Sequence, residues 1–291
     1  MRHFLVSLVA SLVIIALAGM YVRAHPDMLG SPTAATQEST YDRVMRTGEI
    51  RCGYSLWVPL FMIDQKTGDK SGISFDLMEE AGKRLGLKIV WQEELGWGMV
   101  VEAVKTHRVD MACMHYWLNA ARLKNVASSA PQIYTPLYAW VRADETRSFA
   151  SLDDLNTPDL TVTSVDGGAD SQIIAERFAK TRRFSMSEMT SSAEQIEAVA
   201  TKKADFAFMD EMTAHAYIAN NPGKIRNLFP DQPVVVFPTV QLLPPDDPRF
   251  KQMIDDIFRN IEYDGTLDAI LKKYNMQDNF LRNPKPVKPT P

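Results

Sequence analysis

The sequence predicts an α/β protein of two lobes, on three observations. The chain has 291 residues, more than one ordinary hydrophobic core serves. Short apolar runs alternate with amphipathic segments from residue 50 to residue 274, the pattern of mainly parallel sheets flanked by helices. Residues 102–116, EAVKTHRVDMACMHY, return as residues 197–211, EAVATKKADFAFMDE, with seven of fifteen positions identical. Each copy reads as helix, basic turn and buried strand. Each brings a polar residue, His115 or Asp210, to the carboxyl end of its strand, where ligands sit in open α/β sheets.

The elements follow in order. Residues 1–24 have a basic start, a charge-free run from Phe4 to Val22 and the ending Val22-Arg23-Ala24, which reads as an export signal cleaved after Ala24. The rival reading is an uncleaved anchor, because the run approaches the roughly 20 residues of a membrane span. Residues 25–40, rich in Pro, Ser, Thr and Ala, read as a flexible leader. IRCGYSL (50–56) is a strand. FDLMEEAGKRLG (75–86) is a helix with Leu77, Ala81 and Leu85 on one face and Gly86 as its stop. KIVW (88–91) is a strand, and WGMVVEAVKTH (97–107) a helix with Trp97, Val101 and Val104 in register. VDMACMHY (109–116) and YTPLYAWVRA (134–143) are extended. SLDDL, TVTSV, DSQIIAERFAK, AEQIEAVATKK, ADFAFMD and EMTAHAYIA continue the alternation, and PRFKQMIDDIFRNI and TLDAILKKY close it as helices. The Pro-rich tail, residues 283–291, packs as neither helix nor strand.

Composition narrows the function. Hydrophobic residues are 45% and charged residues 23%, an ordinary globular balance; the net charge is −4 and the pI about 5.8, which argues against a nucleic-acid binder. Loss of residues 1–24 leaves 30 basic and 36 acidic residues, a charge of −6. Export permits disulfides, but Cys52 and Cys113 each sit in an apolar run and are expected to be buried free thiols. They can pair only if their strands are neighbours. Two cysteines without a histidine cluster make no zinc site, and neither a metal nor a cofactor is expected.

One charge stands apart. In MHYWLNAARLKNVASSAP (114–131), Arg122 has His115, Tyr116, Trp117 and Asn119 for neighbours and no acid closer than Asp110 or Asp144, although a helical Arg ordinarily finds one a turn away.

Five stretches resemble the periplasmic solute-binding proteins of ABC importers, polar amino-acid class, family 3. They are GYSLWVPLF (53–61), SGISFDLMEEAGKRLG (71–86), HRVDMAC (107–113), SFASLDDLNTPDLTVTSVDGG (148–168) and YDGTLDAILKKY (263–274). The resemblance implies the two-lobed type II fold, each lobe a mainly parallel sheet flanked by helices, joined by a two-strand hinge. Lobe 1 would comprise residues 41–142 and 239–282, and lobe 2 residues 143–238. The crossings would fall near Val141–Ala143 and Phe237–Thr239.

The resemblance also implies roles. Arg122 would grip a ligand α-carboxylate through its planar fork, and Asp210 would hold the α-ammonium. Trp57 would be a stacking ring of the pocket; Trp117 would line pocket or core; Trp97 would be core, with a pocket role as the alternative. His115, Trp117 and Asn119 stand where the family usually has hydroxyl residues. Gly168 and Ala169 would offer backbone N–H groups at a helix start, while Asp170 would repel a carboxylate. For Arg122 the bland reading is a solvated helix residue and for Asp210 a helix N-cap; His115 would be a ligand contact, a pH-sensitive latch or a satisfied strand-end residue.

The function implied is extracytoplasmic binding of a small polar solute, an amino acid or related carboxylate, for delivery by a monomer to an ABC permease in the inner membrane, with no catalytic residues. The alternatives are an enzyme on the same fold, similar to the cyclohexadienyl dehydratases that eliminate water and carboxylate from prephenate-like acids, and a tethered sensor if the N-terminal segment is retained.

Overall fold

The computed structural model describes residues 20–21, 38–276 and 280. The chain separates into a short unit, Met1–Ser39, and a compact unit, Thr40–Pro291. In the first, Met20 and Tyr21 are helical; the cleavage point after Ala24, nearly all of the leader and the tail at 283–291 lie outside the described residues. Among the described residues no helix is long and apolar enough to cross a membrane.

In the compact unit, helices α1 (Thr40–Thr47), α2 (Ile73–Leu85), α3 (Val100–Lys105) and α4 (Ala120–Leu123) alternate with strands β1 (Glu49–Tyr54), β4 (Lys88–Glu94) and β5 (Met111–Trp117). The short strands β2 (Met62–Ile63), β3 (Lys70–Ser71) and β6 (Ala127–Ser128) lie between them. The long strand β7 (Ile133–Arg142) leads to β8 (Thr161–Val165), α5 (Ala169–Arg177), β9 (Arg182–Met186), α6 (Ser192–Ala200), β10 (Phe206–Asp210), α7 (Glu211–Asn220) and β11 (Ile225–Asn227). β12 (Val235–Leu243) returns, and α8 (Pro248–Tyr263) and α9 (Thr266–Lys273) follow.

Local sequence accounts for several boundaries. α2 buries Ile73, Leu77, Met78 and Ala81 along one face and stops at Gly86, whose φ of +67° lets its N–H turn back to the Gly82 and Lys83 carbonyls. α3 begins later than the apolar spacing suggests: Trp97 lies in the loop before it, not in its register with Val101 and Val104.

The sheet order is β4-β1-β5-β12-β7-β10-β8-β9. β4, β1 and β5 are parallel on one side, and β10, β8 and β9 on the other. Between them β12 runs antiparallel to both β5 and β7, and β7 antiparallel to β10. Among the described residues two main hydrophobic cores result, with two smaller buried clusters around Trp140 and Val199. The first holds Leu77, Met111, Ile133 and Val240 together with Phe250, Ile254, Phe258 and Leu267 of α8 and α9. The second holds Leu137, Val141, Val162, Phe208 and Phe237. The core therefore changes between Ile133 and Leu137 on β7, upstream of the expected Val141–Ala143, because Leu137 to Val141 are already paired with β10. On β12 it changes between Phe237 and Val240.

The internal echo is structural. His107 and Lys202, equivalent in the two copies, both adopt positive φ, +53° and +66°. The Thr106 and Thr201 hydroxyls donate to the Glu102 and Glu197 carbonyls, each at 2.7 Å. Asp110 and Asp205 both receive the backbone N–H of a neighbouring strand's first half, from Arg51 at 2.6 Å and Thr161 at 2.7 Å.

The cysteines are a correction. β1 and β5 are parallel neighbours, and Cys52 and Cys113 form a disulfide with Cα atoms 5.3 Å apart. Burial of both side chains is as expected; free thiols they are not.

Candidate functional site

A cavity of about 40 Å³ lies between the two cores, lined by Trp57, Trp97, Trp117 and Arg122 of the first lobe and by Val165, Gly168, Ala169, Asp170, Ser192, Gln195, Phe208 and Met209 of the second. An open groove of about 320 Å³ adjoins it and shares Trp97, Arg122 and Gly168.

Arg122 is 5% exposed. The α4 helix that carries it is capped by Asn119, whose Oδ1 accepts the Arg122 backbone N–H at 2.9 Å. Asn119 thus fixes the turn that aims Arg122 and lines the groove, not the smaller cavity. The guanidinium donates to the Trp117 carbonyl and stands 5.6 Å from the Tyr116 ring centroid. Among the described residues it makes no ion pair. Burial pushes its pKa down to about 10, opposed by its neighbours Tyr116 and Asp170. A buried cation with one backbone acceptor has unused donors and an unmet charge.

Asp170 faces it from the first turn of α5. It too is 5% exposed, and burial raises its pKa to about 6 against backbone hydrogen bonds and the charge of Arg122. Its Oδ2 accepts the Val165 N–H at 3.3 Å. Gly168 is the N-cap residue of this helix, and a Cβ there would fall 2.2 Å from Asp170 Oδ1, so glycine makes room for the carboxylate.

The three tryptophans converge on the cavity. Trp57 meets Trp97 at 82° and Trp117 at 89°, with centroids 6.0 and 5.1 Å apart. Trp57 Nε1 donates to Thr213 Oγ1 at 2.9 Å, a hydrogen bond from one lobe to the other. Trp117 stacks on Phe237, and its Nε1 is buried without a protein acceptor. The seam beside the cavity is closed by backbone: Trp97 N–H donates to the Glu188 carbonyl at 3.1 Å. A Cβ on Gly167, where φ is +72°, would lie 2.4 Å from Gly98 Cα.

Two expected residues lie elsewhere. His115 is fully buried in β5 and does not line the cavity; its Nδ1 is 2.8 Å from Ser74 Oγ of α2. Burial lowers its pKa to about 3, so it is neutral at physiological pH and is no latch in that range. Asp210 is the N-cap of α7: Oδ1 accepts the Thr213 N–H at 2.8 Å and Oδ2 the Thr213 hydroxyl at 2.9 Å. The lining of the cavity on β10 ends at Met209.

Val165, Ser192, Gln195, Phe208 and Met209 were not foreseen. A signal existed for two of them. Ser191-x-x-Glu194 is a capping box that marks the start of α6, and Ser192 and Gln195 lie in that first turn. Among the described residues no cluster of three or more His, Cys, Asp or Glu is placed to hold a metal.

Comparison with known proteins agrees with this architecture. The family model for bacterial extracellular solute-binding proteins, family 3, matches residues 50–277. The chain is 23% identical over 240 residues to a cyclohexadienyl dehydratase from Pseudomonas aeruginosa, covering 82% of this chain and 87% of that one. It is similar in structure to an ancestral amino acid-binding protein, a precursor of cyclohexadienyl dehydratase, with TM-score 0.70, 24% identity, and 81% and 99% of the two chains covered. It is also similar to an ABC-transporter binding component from Wolinella succinogenes complexed with lysine, with TM-score 0.69, 22% identity, and 78% and 95% covered. At these identities the structural likeness speaks for the fold.

Proposed function

The chain belongs to the bacterial extracellular solute-binding proteins of family 3, and on that footing we propose that its interlobe cavity captures a small carboxylate-bearing solute, an amino acid or a close relative, for delivery to an ABC permease. One observation carries the reading: Arg122 is a buried guanidinium on the cavity wall with a single backbone acceptor and no ion pair among the described residues. A planar, permanently charged fork in that state is matched by a carboxylate, which accepts two parallel hydrogen bonds. The binding partners named for two of the structural relatives, an amino acid and lysine, support the same class of solute. The reading includes export, with cleavage after Ala24; an intact mass of the exported protein that still includes Met1 would contradict that part.

A thermal-shift screen against amino acids and small carboxylates tests the main reading, since a true ligand raises the unfolding temperature with the logarithm of its concentration. Arg122→Ala should then cost the hit about 2–5 kcal/mol of binding, because the carboxylate is left buried and unpaired. Arg122→Lys should lose affinity as well, for want of the planar fork.

A second reading has its own support. The curated relative is an enzyme, and Asp170, with its raised pKa and its place across the cavity from Arg122, has the character of a general acid beside a carboxylate grip. Incubation with prephenate, followed by absorbance for an aromatic product, decides it: no product leaves the binding protein as the reading.

A further inference from the structure

We infer that the cationic group of the solute is taken by Asp170 and not by Asp210, and that the solute is a compact zwitterion whose two charges lie only a few bonds apart. This rests on the reading of Arg122 as the carboxylate grip.

Opposite charges from opposite lobes bound the same cavity. Arg122 and Asp170 are equally buried, and each feels the other through charge without a hydrogen bond between them. A solute bearing one charge satisfies one of them and leaves the other facing either an unpaired wall or a like charge. A zwitterion satisfies both, and it does so only when the lobes are together, since each lobe supplies one sign.

Asp210 is poorly placed for that task. Its oxygens are taken by the Thr213 N–H and hydroxyl, and it is absent from the cavity lining. Asp170 is on the lining, and its hydrogen bonds come only from backbone N–H groups, those of Val165, Ser171 and its own residue, which leaves an acceptor position on a carboxylate that has about four.

Size sets the span. Arg122 and Asp170 bound the same space of about 40 Å³, room for about three waters, so the groups they hold lie close together. Trp57 stands nearly perpendicular to both Trp97 and Trp117, a corner of aromatic faces that favours an ammonium, methylated or bare.

The experiment is calorimetry on the whole protein with L-alanine, glycine betaine, propionate and L-arginine. We expect alanine or betaine to bind about tenfold or more tighter than propionate and than arginine. Asp170→Asn should reduce the affinity for that zwitterion about tenfold or more and leave propionate within about threefold, whereas Asp210→Asn, which retains a good N-cap residue, should leave the zwitterion within about threefold. Propionate binding as tightly as alanine and betaine in the unaltered protein would overturn the inference, and this comparison needs no variant to fold. So would loss of the zwitterion preference in Asp210→Asn but not in Asp170→Asn, or failure of both zwitterions to bind. The Arg122→Ala variant reports separately on the underlying reading: full retention of propionate and zwitterion affinity there removes the carboxylate grip, whatever Asp170 does.

Discussion

Asp170 carries a cost in the empty protein that a bound cation would relieve. An acid whose folded pKa lies above its ordinary value near 3.8 holds its proton longer in the folded state than in the unfolded one. Stability from this group is therefore greatest below about pH 4, falls as the pH rises toward the folded pKa of about 6, and stays low above it. Removing the charge should recover that loss. Asp170→Asn is expected to stabilise the ligand-free protein at pH 7.5 by up to about 3 kcal/mol and to change little at pH 4. Denaturant melts at the two pH values would show it, and a variant less stable than the parent at pH 7.5 would mean that the carboxylate is held by more than its own helix. His115 illustrates the opposite outcome for a buried titratable group: with its pKa near 3 it stays neutral, spends Nδ1 on Ser74, and behaves as part of the first core.

The helix starts are where the two lobes address each other. α5 brings Gly168 and Asp170 to the cavity, α6 brings Ser192 and Gln195, and α7 places Thr213 to receive Trp57 Nε1. Between α5 and the loop before α3 the approach is closer still, since Gly167 and Gly98 meet backbone to backbone. Gly167→Ala would put a Cβ 2.4 Å from Gly98 Cα at a φ of +72°, strained in conformation as well as in space. The expected result is a cleft that cannot shut: a larger radius of gyration by small-angle scattering and weaker solute binding, with the two cores intact by circular dichroism. An unchanged radius together with parental affinity would show that the seam yields. Trp57→Phe keeps the ring and deletes one interlobe hydrogen bond, for which a loss of about 0.5–1.5 kcal/mol of closed-state stability is expected.

Among the described residues, β7 and β12 alone carry the chain between the lobes, paired antiparallel from Ile133–Thr239 to Leu137–Val235. Two strands side by side bend more readily than a packed interface, so the assembly has the form of a hinge. Saturation with the solute found by screening should lower the radius of gyration if an open form is populated in solution. The disulfide acts within the first lobe alone, joining β1 to β5 across a separation of 61 residues. Such a link restricts the unfolded chain and typically contributes about 2–4 kcal/mol. Replacing both Cys52 and Cys113 with serine, or reducing the bond, should lower the denaturant midpoint of the first lobe by that order and leave the second lobe's transition in place. Identical midpoints with and without reductant would show that the bond contributes nothing.

The alternation of apolar runs established the α/β class, and the echo of residues 102–116 in 197–211 went further, because a turn such as His107 or Lys202 is dictated by its immediate neighbours. Arg122 was visible for a related reason: an arginine with no acid within a helical turn is a local fact. Strand adjacency is not local. Whether Cys52 can reach Cys113 depends on β1 lying beside β5, and where the lobes change over depends on which residues of β7 find β10. Both are settled by pairing between segments tens of residues apart. The same holds for the acids. Asp170 and Asp210 each lie at a helix start beside a strand end, and their flanking residues do not say which of them reaches the cavity. The cap that Asp210 makes with Thr213 is local, but only the packing of one lobe against the other leaves Asp170 on the wall across from Arg122, because burial and distance to a distant charge are properties of the assembled chain.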